Sequence, residues 1–275
     1  MPRLTVTESR CTLCNLCASD CPARVIVLPD SGLPQYVPGG NARCYICGHC
    51  EAICPTAAIT VDDPRLDPRT VPDPGEDWNI PPAKLGGYLR MRRSVRKYRQ
   101  APVDRETIGE LMDIVRYAPT GINTQSLHWL VVHDTVELRR LTGLAIDWMR
   151  DMAKGDSPMK GWFDFEGMAR LWDAGEDPIC RNAPHLVVAH AHRNAMTAPA
   201  DAFIALAHLD AAAPAFGLGC CWAGLFKIAV DQWAPLREAL ALPEGHAAHY
   251  ALMLGTPAVR YHRPPKRNPL KIDWR

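Results

Sequence analysis

At 275 residues the chain is long enough for about two domains, and its 47% hydrophobic content supports a proper core. A net charge of +1 gives no global pull toward nucleic acid or an anionic membrane. No apolar run approaches the roughly 18 residues of a membrane span, and the start, MPRLTVTESR, lacks an apolar stretch of signal-peptide length, so a cytoplasmic protein without nucleic-acid or membrane partners is expected.

The first feature along the chain is a pair of cysteine runs. Eight of the eleven cysteines stand in two copies of one spacing: Cys11, Cys14, Cys17 and Cys21 before Pro22, and Cys44, Cys47, Cys50 and Cys54 before Pro55. Each iron of a cubane cluster needs a thiolate, and a C-x2-C-x2-C loop can wrap three of them around one cluster, so a fourth must come from elsewhere. Structural zinc usually draws its cysteines in twos across a long gap, and a disulfide scaffold requires an exported chain. A shift of 33 positions (44 minus 11) lays CPARVIVLPD on CPTAAITVDD, an internal repeat in which each half ends in a short apolar strand. The spacing resembles that of bacterial two-cluster ferredoxins, in which the fourth cysteine of each run serves the other cluster. That resemblance implies two [4Fe-4S] clusters, one on Cys11, Cys14, Cys17 and Cys54 and one on Cys44, Cys47, Cys50 and Cys21, in a small α+β ferredoxin-like domain over residues 1–63.

Residues 64–82 hold Pro64, Pro68, Pro72, Pro74, Pro81 and Pro82 with no helical or alternating period, and read as a stiff, extended linker. From residue 83 to 275 helices and strands alternate. Residues 104–117 place Ile108, Leu111, Met112 and Val115 on one helical face behind an Asp104 cap. Strands are expected at 127–133, 185–191 and 250–256, and a buried helix at 201–217, giving a second, mixed α+β domain. The ten histidines show no metal-ligand spacing and count as core or surface residues.

The basic run Arg90, Arg92, Arg93, Arg96, Lys97 and Arg99 is too short and too poor in aromatics for a nucleic-acid patch. In an extended segment Arg92, Ser94 and Arg96 share one side and present two guanidinium forks and a hydroxyl to a phosphate. GLGCCWAG is no dinucleotide fingerprint, since Gly217, Gly219 and Gly224 do not fit G-x-G-x-x-G. Cys220 and Cys221 are adjacent, so in a strand they point to opposite faces as small buried hydrophobes.

RRSVRKY, APTGINTQSLHW, GLGCCWAGLF and LGTPAVRYHRPPKRNPL occur in that order, and together they resemble the FMN-dependent nitroreductase family, in the branch that carries an N-terminal two-cluster ferredoxin. The resemblance covers roughly residues 83 to 275. It implies an α+β fold with a mixed sheet flanked by helices in a swapped homodimer, with FMN sites at the interface. It assigns the FMN phosphate and ribityl chain to Arg92, Arg93, Ser94 and Arg96, with Arg267 and Lys266 from the tail. Pro119, Thr120, Gly121 and Asn123 would contact the flavin of the partner subunit, although Ser126 replaces the proline usual after the glutamine. Amides of Ala223, Gly224 and Leu225 would face the flavin N5. The aromatic and methionine-rich stretch 146–181 would cover the flavin face and select the substrate.

The implied function is an oxidoreductase that passes electrons through the clusters to FMN and on to a small aromatic or conjugated acceptor of nitro, quinone or enone type. The donor would be a one-electron protein such as ferredoxin, or NAD(P)H. The residues leave open a relay or sensor without catalysis, and an NAD(P)H-dependent nitroreductase that uses its clusters as a charge store. No side chain is assigned as catalytic.

Overall fold

The computed structural model describes residues 1–68, Gly75 and 79–275. The expected linker prolines Pro72 and Pro74 lie outside the described residues. The chain divides into two compact units, one of residues 1–78 with 121–125, the other of residues 79–120 with 126–275.

In the first unit, β1 (Arg3–Val6) pairs antiparallel with β4 (Ile59–Asp62), and β2 (Ile26–Val27) pairs with β3 (Gln35–Tyr36). Two short helices, α1 (Leu16–Ser19) and α2 (His49–Ala52), each carry the third cysteine of a run inward, so that Cys17 and Cys50 join Val25, Ile26, Ile59 and Val61 in a small core. The sequence repeat is a backbone repeat as well. Leu13 and Ile46, Asn15 and Gly48, and Arg24 and Ala57 all take positive φ at the same 33-residue offset. Non-glycine residues rarely enter that region, and here it curls each cysteine loop back on itself.

The second unit is built on an antiparallel sheet in the order β5-β6-β8-β7, formed by β5 (His128–Val132), β6 (His185–His192), β7 (Gly219–Trp222) and β8 (His246–Gly255). Successive residues of β6 alternate between two cores. Leu186 and Val188 face one that includes α5 (Thr135–Lys154), α6 (Phe165–Asp173) and α8 (Gly224–Gln232). Val187 and Ala189 face the other, against α4 (Arg105–Val115) and α7 (Ala198–Ala212). A sheet covered on both faces buries its central strand entirely, which is why HLVVAHA reads as a nearly unbroken apolar run. The expected helix at 104–117 is α4, and Asp104 caps it by accepting the Thr107 amide at 2.7 Å. The strand expected at 250–256 begins four residues earlier, at His246, because the small residues Ala247 and Ala248 carry little strand signal. The helix expected at 201–217 is α7, closed by a 3-10 turn over Ala213–Phe216. Two further helices, α3 (Pro82–Met91) and α9 (Ala234–Ala239), complete the unit.

Candidate redox centres

The eight cysteines of the first unit border two separate recesses. One is lined by Cys11, Cys14, Cys17 and Cys54, together with Val6, Leu16, Ala58 and Ile59. The other is lined by Cys44, Cys47, Cys50 and Cys21, together with Val25, Ile26, Gly48 and Val61. Each recess therefore takes three thiols from one run and the fourth from the other. The fourth thiols are prepared alike: the Val25 amide donates to Cys21 Sγ at 3.4 Å and the Ala58 amide to Cys54 Sγ at 3.2 Å. Amide donors aimed at sulfur stabilise thiolate charge, and hydrogen bonds to sulfur tune cluster potential. Burial, then the neighbouring Glu51 carboxylate, pushes the Cys50 thiol up to about 12, so a thiolate there needs a cationic centre to compensate it. Iron fits that donor set.

Gly121–Gln125 groups with this first unit. Ile122, Asn123 and Gln125 take positive φ, and the Asn123 Nδ2 donates to the carbonyls of Tyr45 at 3.1 Å and Ile46 at 2.9 Å. Both acceptors lie in the loop between Cys44 and Cys47. Asn123, expected on the flavin, has its amide group engaged by the cysteine loop.

In the second unit Arg92 has a partner that the sequence pattern did not suggest. Arg92 donates through Nη1 to Asp210 Oδ2 at 3.1 Å, and Trp222 Nε1 donates to the same oxygen at 3.0 Å. Burial pushes the Asp210 carboxyl up, against the opposing pull of Trp222 and Arg92, and its Oδ1 has no hydrogen-bond partner. Arg93 donates to the Arg90 carbonyl at 2.9 Å, while its Nε is buried and unpartnered. Desolvation, then the like charges of Arg267 and Arg92, pushes the Arg93 guanidinium below its ordinary value. Arg93 thus combines a buried donor that lacks a protein acceptor with the unfavourable charges of Arg92 and Arg267, an environment that an anion would relieve. Lys266 and Arg267 belong to an exposed tail segment with no regular structure. The Ser94 carbonyl accepts from the Tyr261 hydroxyl at 3.4 Å, and the Arg96 charge lowers the Cys221 thiol against the dominant upward effect of burial.

A single strut joins this cationic group to the start of α8. The Val95 amide donates to the Cys220 carbonyl at 2.8 Å, and a Cβ at Gly219 would collide with the Val95 side chain. Only glycine at 219 leaves room for the Val95 side chain beside the strand. Cys220 and Cys221 point into the two different cores, and burial raises both thiols, so neither is a reactive thiolate. Beyond β7 the chain turns into α8. The Ala223 amide is taken by the Ala251 carbonyl at 3.0 Å, so of the three expected N5-facing amides it is already committed. Gly224 and Leu225 occupy the first turn of α8, where amides have no intrahelical acceptor.

Within 146–181 the aromatic residues divide. Trp148 and Phe165 are core, packed edge to face at 5.6 Å, while Trp162 is 85% exposed. Trp148 and Phe165, expected over the flavin face, therefore serve the core. Sequence reasoning missed Asp210 and the aromatic group of Phe203, Trp222 and Tyr250, whose ring centroids lie 5.0 to 5.9 Å apart. An aspartate inside the apolar run 201–217 was the available signal for the first. The aromatic group joins a helix and two strands and has no sequence period.

Cysteine-lined recesses in one unit and a cationic, anion-seeking site beside the sheet of the other define an oxidoreductase with an iron–sulfur module. The chain belongs to the nitroreductase family, whose model matches residues 89–256, and a 4Fe-4S dicluster domain matches residues 10–59. An FMN reductase [NAD(P)H] of Bacillus subtilis (strain 168) is 27% identical over 183 residues, spanning 65% of this chain and 68% of that protein. Among solved structures, a nitroreductase with bound FMN from Bacteroides fragilis NCTC 9343 aligns with a TM-score of 0.54 at 22% identity. It covers 69% of this chain and 98% of its own. A nitroreductase with bound FMN from Desulfitobacterium hafniense DCB-2 aligns with a TM-score of 0.54 at 18% identity, over 67% of this chain and 94% of its own. These likenesses establish the fold of the second unit.

Proposed function

We propose that this protein is an FMN-dependent oxidoreductase that feeds electrons from two [4Fe-4S] clusters to FMN for the reduction of a small aromatic or conjugated acceptor. The observation that carries the reading is the lining of the two recesses, each with three cysteines of one run and the fourth of the other. When bound, the clusters carry single electrons and FMN converts between one- and two-electron steps.

The residues of this chain would hold and tune those groups. Arg93 Nε, Arg92 and Arg267 supply donors for the FMN phosphate, and Ser94 and Arg96 flank them. Asp210 fixes Arg92 in place by accepting from it. The amides of Gly224 and Leu225, at the positive end of α8, offer hydrogen bonds to the reactive edge of the flavin. Pro119, Thr120 and Gly121 would complete the flavin site from a partner subunit. A homodimer is supported by Phe203 and Ile204, exposed side by side on α7, and by Leu270 and Trp274, exposed on the tail. Among the described residues no helix is long and apolar enough to cross a membrane, in keeping with action in the cytoplasm. The donor is a one-electron protein of ferredoxin type or NAD(P)H.

Anaerobic stopped-flow spectroscopy tests the electron path. The purified protein should carry about eight irons per chain, and on mixing with reduced ferredoxin the cluster absorbance should bleach before FMN. FMN that is reduced at an unchanged rate in Cys11→Ala and Cys44→Ala variants would show that the clusters do not feed it.

A further inference from the structure

Four histidines meet at one end of the sheet, outside the flavin motifs and the cysteine runs. His128 pairs in register with His190 across β5 and β6, and His192 with His246 across β6 and β8. The ring centroids of His128, His190 and His246 form a triangle with sides of 5.5, 4.9 and 5.1 Å, and His192 lies 6.1 Å from His246.

A β-bulge makes this convergence possible. Between Ala189 and His190 the partner on β8 jumps from Tyr250 to Ala248, leaving His249 as the extra residue. Up to that point Met253 and Ala251 share a face with Leu186 and Val188. Unbroken alternation would then put His249 and Ala247 on that face and His246 on the opposite one. The extra residue reverses the phase, so His246 joins His128, His190 and His192. Bulges that re-aim a side chain are frequent beside functional sites.

The nitrogens are set for a shared ligand. His190 Nδ1 and His246 Nδ1 lie 3.0 Å apart. With metal–nitrogen bonds of about 2.0–2.1 Å, two imidazole nitrogens on one ion stand roughly 2.9 Å apart at a right angle and roughly 3.3 Å apart at the tetrahedral angle. His190 is buried, which fixes its ring, while His128 and His192 are exposed, the latter with its Nδ1 accepting from the Asn194 amide at 3.2 Å. As the rings stand, two nitrogens face each other, those of His190 and His246, and the four histidines are not already set as a group of three to hold an ion. A turn of His128, whose ring centroid lies 5.5 and 4.9 Å from those of His190 and His246, would supply the third, and His192 would do so through Nε2 or by giving up the Asn194 amide. A simple N–H···N bond accounts for His190 and His246, but not for two further rings beside them. A surface recess bordered by Arg193, Gly245 and His246 leaves the group open to solvent.

We propose that His190 and His246, completed by His128 or His192, form a binding site for a divalent transition-metal ion of the zinc, nickel or cobalt type. Neutral imidazole suits these ions, whereas calcium and magnesium demand oxygen ligands. The site is independent of the flavin and cluster assignments.

The test is equilibrium dialysis of the full-length protein, cofactors in place and under anaerobic conditions, against Ni²⁺, with metal counted by mass spectrometry. One Ni²⁺ per chain is expected above the content of the His246→Gln variant. Binding at least tenfold weaker is expected in His246→Gln, and weaker binding in either His128→Gln or His192→Gln identifies the third ligand. His208→Gln, on α7 with its ring bonded to the Ile204 carbonyl, should bind as the parent does. His246 is only partly buried, and circular dichroism verifies that the variant is folded. Undiminished Ni²⁺ binding by folded His246→Gln, or no Ni²⁺ retained by the parent protein, overturns the proposal.

Discussion

Asp210 accepts both of its hydrogen bonds, from Arg92 at 3.1 Å and Trp222 at 3.0 Å, on the same oxygen, Oδ2, and leaves Oδ1 without a partner. In Asp210→Asn the amide oxygen can take the place of Oδ2 and the NH2 group that of the idle oxygen. The bond from Arg92 remains charge-assisted through the guanidinium, while the bond from Trp222 changes from a charged to a neutral one. A charged hydrogen bond contributes about 1.5–3 kcal/mol and a neutral one about 0.5–1.5. The loss of about 1–1.5 kcal/mol is offset by relief from burying a carboxylate, so Asp210→Asn should fall within about 1 kcal/mol of the parent. Asp210→Ala removes both acceptors and leaves Arg92 and Trp222 without them. Arg92 keeps 29% of its side chain exposed and recovers some hydration, which holds the expected cost to about 2–4 kcal/mol. FMN binding should separate the variants in the same order. Asp210→Asn keeps Arg92 in position and should bind FMN at least as tightly as the parent, while Asp210→Ala releases Arg92 and should bind about tenfold more weakly, as expected for a misplaced charged donor. Chemical denaturation and fluorescence titration of the apoprotein with FMN measure both. Equal stability of the two variants, or tighter FMN binding by Asp210→Ala, would refute the positioning role.

Cys54→Ala should lose the same half of the iron as Cys11→Ala, and Cys21→Ala the same half as Cys44→Ala; electron paramagnetic resonance that groups Cys54 with Cys44 instead contradicts the crossed ligation. Arg93→Gln and Arg267→Gln should weaken FMN binding by about tenfold to a hundredfold, the range for a lost charged hydrogen bond, while the apoprotein loses no stability because like charges are relieved; FMN titration and melting of the apoprotein check both halves. His185 is fully buried; its Nε2 accepts from the Val103 amide at 2.8 Å, which leaves Nδ1 to donate to the His133 carbonyl at 3.0 Å. Burial, then the nearby His133 charge, lowers its pKa from 6.5 to about 4. A depressed histidine stabilises the fold fully above the unfolded value and loses that contribution as pH falls from 6.5 toward 4, here by up to about 3 kcal/mol. The stability difference between the parent and His185→Gln should shrink by that amount across this window, and a difference independent of pH would count against the buried neutral ring.

The cysteine runs were legible because cluster ligation is local: spacing alone carries three of the four ligands, and the 33-residue offset that aligns the two runs reappears in the backbone angles of Leu13 and Ile46. Helix α4 was legible for a similar reason, since its cap and apolar face lie within one stretch of sequence. Asp210 was not. Its role arises because α7 and β7 bring it against Trp222 and Arg92, across 118 residues of chain in the second case. The histidine group was hidden for a further reason: its register depends on a one-residue bulge, and a bulge reverses alternation without altering composition. Asn123 stood inside a motif that pointed to flavin, yet its side-chain nitrogen serves the carbonyls of Tyr45 and Ile46, a long-range pairing that no local pattern encodes.

The segment from Arg92 to Arg96 has no regular structure, yet it is one of the most constrained stretches of the second unit. Val95 is buried and its amide is fixed on the Cys220 carbonyl. Gly219 permits the approach, and the Tyr98 hydroxyl closes the turn on the Val95 carbonyl at 2.8 Å. With Val95 held inward, its neighbours Ser94 and Arg96 must point away from the core, and Arg92 is anchored at its far end by Asp210. The same strand, β7, then runs from Cys220 to the first turn of α8 within four residues, roughly 13 Å of extended chain. The proposed phosphate grip and the proposed redox edge are therefore fixed to one hydrogen-bonded strut. A displacement of β7 would carry the Arg92–Arg96 segment and the first turn of α8 together, keeping the spacing between the two ends of the site constant.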